Sequence, residues 1–280
     1  VQITKTDGNT GVVRPGADGI CAIIAPSASG TANQAASYAK GRTLGEDFGG
    51  GLLPELGAWM LQFTQKPIVA VKSSASVAAA LSAVTHAGAG TSVVTVSGTP
   101  IDDYQAIVKI VGGGTIGVAG ATYQFTLDNG ITWSPVTALG VAVSVALLTP
   151  TGGATGITVA FAAGTLLAAQ TETFTSTAAR MNNADLLVAL EALRVSSLPF
   201  ETILVAGPLG STMAATIAGW RLLRDAEGRY YSWASNWRPA DAGETEAAYL
   251  IASVAALGHS ADTFGMVYGG SFDLALPLTG

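Results

Sequence analysis

In the last third of the chain, apolar residues alternate between two spacings. Between residues 178 and 193, Met181, Leu186, Leu187, Leu190 and Leu193 recur at helical spacing, with Arg194 near the end. Pro199 breaks that pattern, and Phe200, Ile203, Leu204 and Val205 form a run of β-formers closed by Ala206-Gly207-Pro208. A second helix follows, with Met213, Ile217, Trp220, Leu222 and Leu223 as its apolar side and Gly228 after it. Residues 230–233 read as a strand, 244–257 as a third helix and 264–268 as a third strand. This β-α-β-α-β order predicts a largely parallel sheet with helices against it.

The first third uses the same grammar. Residues 19–25 read as a buried strand, and 31–40 as a helix or partly helical connection after the Pro26-Ser27 turn. Leu53, Leu56, Met60 and Phe63 recur at helical spacing, with Trp59 widening that face, and Pro67 introduces the strand Ile68-Val69-Ala70-Val71. Between these regions the period changes. From residue 88 to 175, runs rich in Val, Thr and Ile are separated by glycines, and Tyr123, Phe125 and Leu127 alternate with Thr122, Gln124 and Thr126. Asp128-Asn129-Gly130 predicts a hairpin turn, because Asn and Gly tolerate positive φ, with Ile131 and Trp133 on the returning strand. The fold class expected is α/β, a sheet with flanking helices interrupted by an all-β insertion. The divisions are an extended arm (1–18), the first part of the core (19–87), an outward-facing β-rich insertion (88–176) and the second part of the core (177–280).

The arm is rich in Thr, Gly and Asp and too poor in large apolar residues for a core of its own. Such a segment lies on its own domain or adds a strand to a neighbour's sheet. Only 11% of the 280 residues are charged, 49% are apolar and 35 are glycine, a low charge for a protein alone in water. A net charge of -6 with no basic cluster argues against nucleic acid as a partner. No apolar run reaches membrane-spanning length, and the first residues lack the basic-then-apolar pattern of a secretory signal. The chain starts at Val1, as processing or an incomplete chain would leave it.

Candidate chemistry is thin. Cys21 lies in an apolar run, where it reads as a small buried hydrophobe, and His86 and His259 belong to no compact set of metal ligands. Neither a metal nor a cofactor is expected. Gly207-Pro208-Leu209-Gly210-Ser211-Thr212 joins a strand to a helix, but it has neither dinucleotide-type glycine spacing nor a Gly-Lys-Ser/Thr ending. It reads as a structural turn, with Ser211 or Thr212 capping the helix. Asp241, Glu244 and Glu246 follow Arg238 at a helix start, where helix capping or an intersubunit pair with arginine accounts for them better than catalysis. Asp102, Asp103, Asp128 and Glu172 are the acids of the β-rich stretch. The run Tyr230, Tyr231, Trp233 and Trp237, ending at Arg238, fits a core that also makes an assembly contact.

Several phrases resemble contractile-tail sheath proteins of bacteriophages or prophages. They are Gly11-Val12-Val13-Arg14-Pro15-Gly16, Gly19-Ile20-Cys21-Ala22-Ile23-Ile24-Ala25 and Gly45-Glu46-Asp47-Phe48-Gly49, then Leu198-Pro199-Phe200-Glu201-Thr202-Ile203-Leu204-Val205 and Tyr231-Ser232-Trp233-Ala234-Ser235-Asn236-Trp237-Arg238-Pro239. The resemblance implies a non-enzymatic subunit of the virion tail, assembled in the host cytoplasm. It would pack helically on copies of itself around a tail tube protein, between baseplate and tail terminator, and change lattice on contraction. The candidate assembly contacts are Val12, Val13, Arg14, Tyr231, Trp233, Trp237, Arg238, Asp241 and Glu244. A complete subunit would continue into a further α/β portion and a C-terminal arm, whereas this chain stops at Leu276-Pro277-Leu278-Thr279-Gly280, as a fragment or shorter relative would. The alternatives are an α/β hydrolytic enzyme with a β-rich accessory domain, built on Asp241, Glu244, Arg238, His259 or Ser211, and another virion tail component.

Overall fold

The structure is a computed structural model and describes residues 19–238, 244–262 and 265–268. In chain order come β1 (Cys21–Ala25), β2 (Ala35–Tyr38), α1 (Gly41–Phe48), α2 (Leu52–Thr64) and β3 (Ile68–Lys72). Eleven strands follow: β4 (Ala80–Leu81), β5 (Thr85–Ala87), β6 (Val94–Gly98), β7 (Gln105–Gly112), β8 (Gly114–Thr115), β9 (Thr122–Thr126), β10 (Thr137–Ala138), β11 (Ser144–Leu148), β12 (Ala154–Phe161), β13 (Thr165–Leu166) and β14 (Thr171–Thr177). The chain then runs through α3 (Asn183–Val195), β15 (Thr202–Leu209), α4 (Ser211–Ala226), β16 (Ser232–Trp237), α5 (Glu246–Asp262) and β17 (Gly265–Tyr268). These form two compact units, one from the described residues up to Ser76 and from Arg180 onward, the other from Val77–Ala179.

The first unit is α/β. Its sheet has the order β17-β16-β15-β1-β3-β2, and every neighbouring pair is parallel except β2 with β3. All five residues of β1 are buried because both faces of the sheet are covered. Side chains alternate between the faces. Cys21, Ile23 and Ala25 pack with Leu44, Phe48, Leu53 and Leu56 of α1 and α2. Ala22 and Ile24 pack in the other core with Leu186 and Leu190 of α3 and Ile217 and Trp220 of α4. The chain moves outward from β1 to β3, then crosses back to β15 on the other side of β1, so the strand order reverses at β1.

Three local expectations are corrected here. Within residues 31–40 the structure has a strand: β2 lies antiparallel to β3, with Tyr38 opposite Ile68, and Asn33 turns the chain at φ 59. Pairing with an available sheet edge outweighs the local preference of a four-residue segment. Leu222 and Leu223 are 54% and 61% exposed, and Arg221 and Arg224 take the inward positions beside Met213, Ile217 and Trp220. Positions 213, 217, 220, 221 and 224 share one stripe of a 3.6-residue helix, and 222 and 223 fall outside it. β15 continues past Val205, because Gly207 at φ 124 lets the strand bulge and Leu209 rejoin Trp237 of β16.

In the second unit every strand pairing is antiparallel, and no helix occurs among its described residues. One sheet has the order β10-β9-β7-β14-β4 with β5 also on β14, a second has β11-β12-β6, and β13 pairs with β8. Ala106, Val108 and Ile110 of β7, Ile157, Val159 and Phe161 of β12, and Phe174 of β14 meet in one core. The predicted turn is present, with Asn129 and Gly130 at φ 56 and 93, but Ile131 and Trp133 form no returning strand. The Asp128 carboxylate draws the chain inward by accepting from the Thr132 N–H (2.9 and 3.0 Å) and from the Thr126 and Thr132 hydroxyls (2.5 Å each). The Ser134 N–H donates to the Phe125 carbonyl at 2.8 Å, and strand pairing with β9 resumes at Thr137.

Candidate functional site

The aromatic and charged segment around β16 is the densest grouping that the sequence pointed to. Tyr231 stacks on Phe200 with ring centroids 4.8 Å apart and lies 5.8 Å from Trp220. Its carbonyl accepts from Arg221 Nε at 2.5 Å. Trp233 and Trp237 are only 2% and 3% exposed, so their rings face the core of their own unit. Arg238 lies over both Trp237 and Tyr249, 5.7 Å from each ring. Its guanidinium donates through Nη1 and Nη2 to the two oxygens of Glu244 at 2.7 and 2.6 Å, a two-pronged pair that ties the end of β16 to the start of α5. Tyr249 closes the knot by donating to the Arg238 carbonyl at 3.1 Å. The Arg238–Glu244 pair is therefore made within the chain. Val12, Val13, Arg14 and Asp241 lie outside the described residues.

Other candidates resolve into structural roles. No side chain caps α4, whose N-cap is Gly210, so neither Ser211 nor Thr212 fills the role expected of it. Burial pushes the Cys21 thiol up to about 11, which keeps it protonated and poorly nucleophilic at neutral pH. Asp103 accepts from the Ala178 N–H at 2.7 Å, and His86 and Glu172 pair with each other at 2.7 Å. His259 lies in α5. Among the described residues no group of three or more His, Cys, Asp or Glu side chains could hold a metal ion, and no helix is long and apolar enough to cross a membrane.

One polar cluster escaped the sequence reading. Asp185 lies in the first turn of α3 and completes a reciprocal cap with Asn182, its N–H donating to Asn182 Oδ1 and its carboxylate accepting from the Asn182 N–H, both at 3.0 Å. The same carboxylate accepts from the Ser76 N–H (2.9 Å) and hydroxyl (2.8 Å). Burial raises the Asp185 pKa, but the bonds from Asn182 and Ser76 outweigh it and hold the carboxyl below its ordinary value. One side chain thus joins the chain just after β3 to the chain just before α3. Asn182-x-x-Asp185 ahead of an apolar run was the signal for it.

No family model matches the chain, and no curated protein matches it. Two solved structures similar to it are sheath tail proteins. One, from Listeria innocua, is 16% identical with a TM-score of 0.33, the match covering 86% of this chain and 56% of that one. The other, from Desulfitobacterium hafniense, is 15% identical with a TM-score of 0.39, covering 85% and 58%. This chain spans less than two thirds of the length of either.

Proposed function

We propose that the chain is a structural subunit of a contractile phage tail sheath, without enzymatic activity. In this reading, copies pack in a helical array around a tail tube, between baseplate and tail terminator, and exchange one lattice for another on contraction. The observation that carries it is the outer surface of the α/β unit. Leu187, Val188 and Val195 of α3, Leu222 and Leu223 of α4, and Leu250, Ile251 and Val254 of α5 are between 45% and 73% exposed, in a chain with only 11% charged residues. Apolar helix faces of this extent favour cover by neighbouring subunits. The sheath-like phrases from Gly11 to Gly16 and from Tyr231 to Pro239 support the same reading.

Residues 1–18 then serve as an arm to a neighbour through Val12, Val13 and Arg14, and residues 88–176 form an outward-facing β-rich insertion. Tyr231, Trp233, Trp237, Arg238 and Glu244, packed or paired within the chain, stiffen the subunit from inside, and Asp241 contacts a neighbour. Rigid subunits that rearrange through discrete contacts suit a lattice with two states, and no nucleotide is called for. Assembly would take place in the host cytoplasm and end in the virion tail. Negative-stain electron microscopy across a concentration and salt series, with any longer version of the chain alongside, tests this. Hollow tubes or stacked rings are expected, and discrete monomers from every version would overturn the reading.

A further inference from the structure

His86 is the only ionisable side chain between Lys72 and Asp102. It lies at the centre of β5, whose three residues are all exposed and whose register sets Thr85, His86 and Ala87 against Thr173, Glu172 and Thr171 of β14. Together with β4, which pairs only at Ala80 and Leu81, it forms a thin strap along one edge of β14, and β7 holds the other edge through five paired residues. Directly beneath the strap is Glu172, fully buried. Its Oε1 accepts from His86 at 2.7 Å and from Gln170 Nε2 at 2.8 Å, whereas Oε2 has no hydrogen-bond partner. The strap lies close over this site: a Cβ on Gly88 would come within 3.0 Å of the Gln170 side chain.

The ring has acceptors on both sides. Nδ1 faces the Glu172 carboxylate, and Nε2 faces the Gly88 carbonyl at 3.1 Å. A neutral imidazole has one N–H and satisfies one of them; only the imidazolium donates to both. Its charge also answers a buried carboxylate that would otherwise be costly. No other charged group acts on the ring: β4, β5 and the following glycine-rich turn carry none. Lys109 of the neighbouring β7 holds its ammonium 5.9 Å from the Trp133 ring.

We propose that protonated His86 is a pH-operated clasp that holds the β4–β5 strap on β14, and that its deprotonation loosens the strap and uncovers the backbone edge of β14. The hydrogen bond and charge of Glu172 raise the His86 pKa above its ordinary 6.5. The clasp is therefore complete at and below that ordinary value and is lost as pH rises through the higher value of the closed strap.

The test is a titration of the full chain by nuclear magnetic resonance, with imidazole signals assigned by His86→Gln, alongside hydrogen exchange of the β5 and β14 amides. Two ring N–H signals are expected for His86 at pH 6, with a titration midpoint above 6.5. Protection of the strap amides, measured relative to those of β12, should fall about tenfold through that midpoint. In Glu172→Gln the midpoint should drop towards the ordinary value and the pH dependence of protection should disappear. A singly protonated ring at pH 6, or strap protection that follows β12 at every pH, would overturn the proposal, and both readings use the unmutated protein.

Discussion

The two units bury their strands by different rules. In the α/β unit, β1 has every residue inside and β3 all but Lys72, whereas β12 and β14 bury alternate residues. A strand covered on both faces leaves little place for a polar side chain. Two that are buried in this unit are held by specific hydrogen bonds: Asp185 at the start of α3, and Ser235 within β16, whose hydroxyl donates to the Val205 carbonyl at 2.8 Å. A strand covered on one face directs its polar residues outward. Thr126 of β9, Thr155 of β12, and Glu172 and Ser176 of β14 are buried exceptions, and each is held by hydrogen bonds to nearby segments. In both units these buried polar side chains thus mark hydrogen-bonded joints between segments, while the burial of apolar residues differs between them.

The sharpest way to break this comparison is to hollow out each core. Trp233→Ala in the α/β unit and Phe174→Ala in the β unit should each cost about 3–5 kcal/mol. Urea unfolding followed by hydrogen exchange should show each change weakening its own unit first. Equal loss of protection everywhere would instead join the two units into one cooperative block.

A smaller effect separates the polar sites. Asp185→Asn should cost about 1–3 kcal/mol at neutral pH, because the hydrogen bonds lose a charged acceptor. The folded-state pKa of Asp185 lies below its ordinary 3.8, so this contribution is present above that value and disappears as pH falls through the folded one. Urea midpoints of variant and parent should therefore converge in acid. A gap that does not narrow as the pH is lowered would mean that shape, not charge, makes the clamp.

The smallest effect concerns backbone conformation. Gln65 ends α2 in the left-handed region at φ 51, and Gln65→Gly should stabilise the α/β unit by about 0.5 kcal/mol. Asn129→Gly at the β-unit turn should gain less, since asparagine already tolerates φ 56. Thermal melts of the two variants rank them.

The alternation of helix and strand after residue 178 was legible because its apolar spacings are long and punctuated by Pro199 and Gly228, although β15 runs on through Gly207. β2 was not, since its four residues carry no period of their own and take their form from β3. β14 was hidden because its inward positions, Glu172, Phe174 and Ser176, mix polar with apolar residues. The knot around Arg238 could be anticipated as an arginine with nearby acids, but not which chain would supply them. His86 and Glu172 stand 86 positions apart and left no local trace.

The Ser76–Asp185 clamp makes the exit and the return of a hundred-residue excursion into neighbours at a single carboxylate. The chain leaves the α/β unit and returns to it at one socket. In evolutionary terms, such a socket lets the cargo between residues 77 and 179 be lengthened, trimmed or exchanged while the register of β1, β3 and β15 is inherited unchanged.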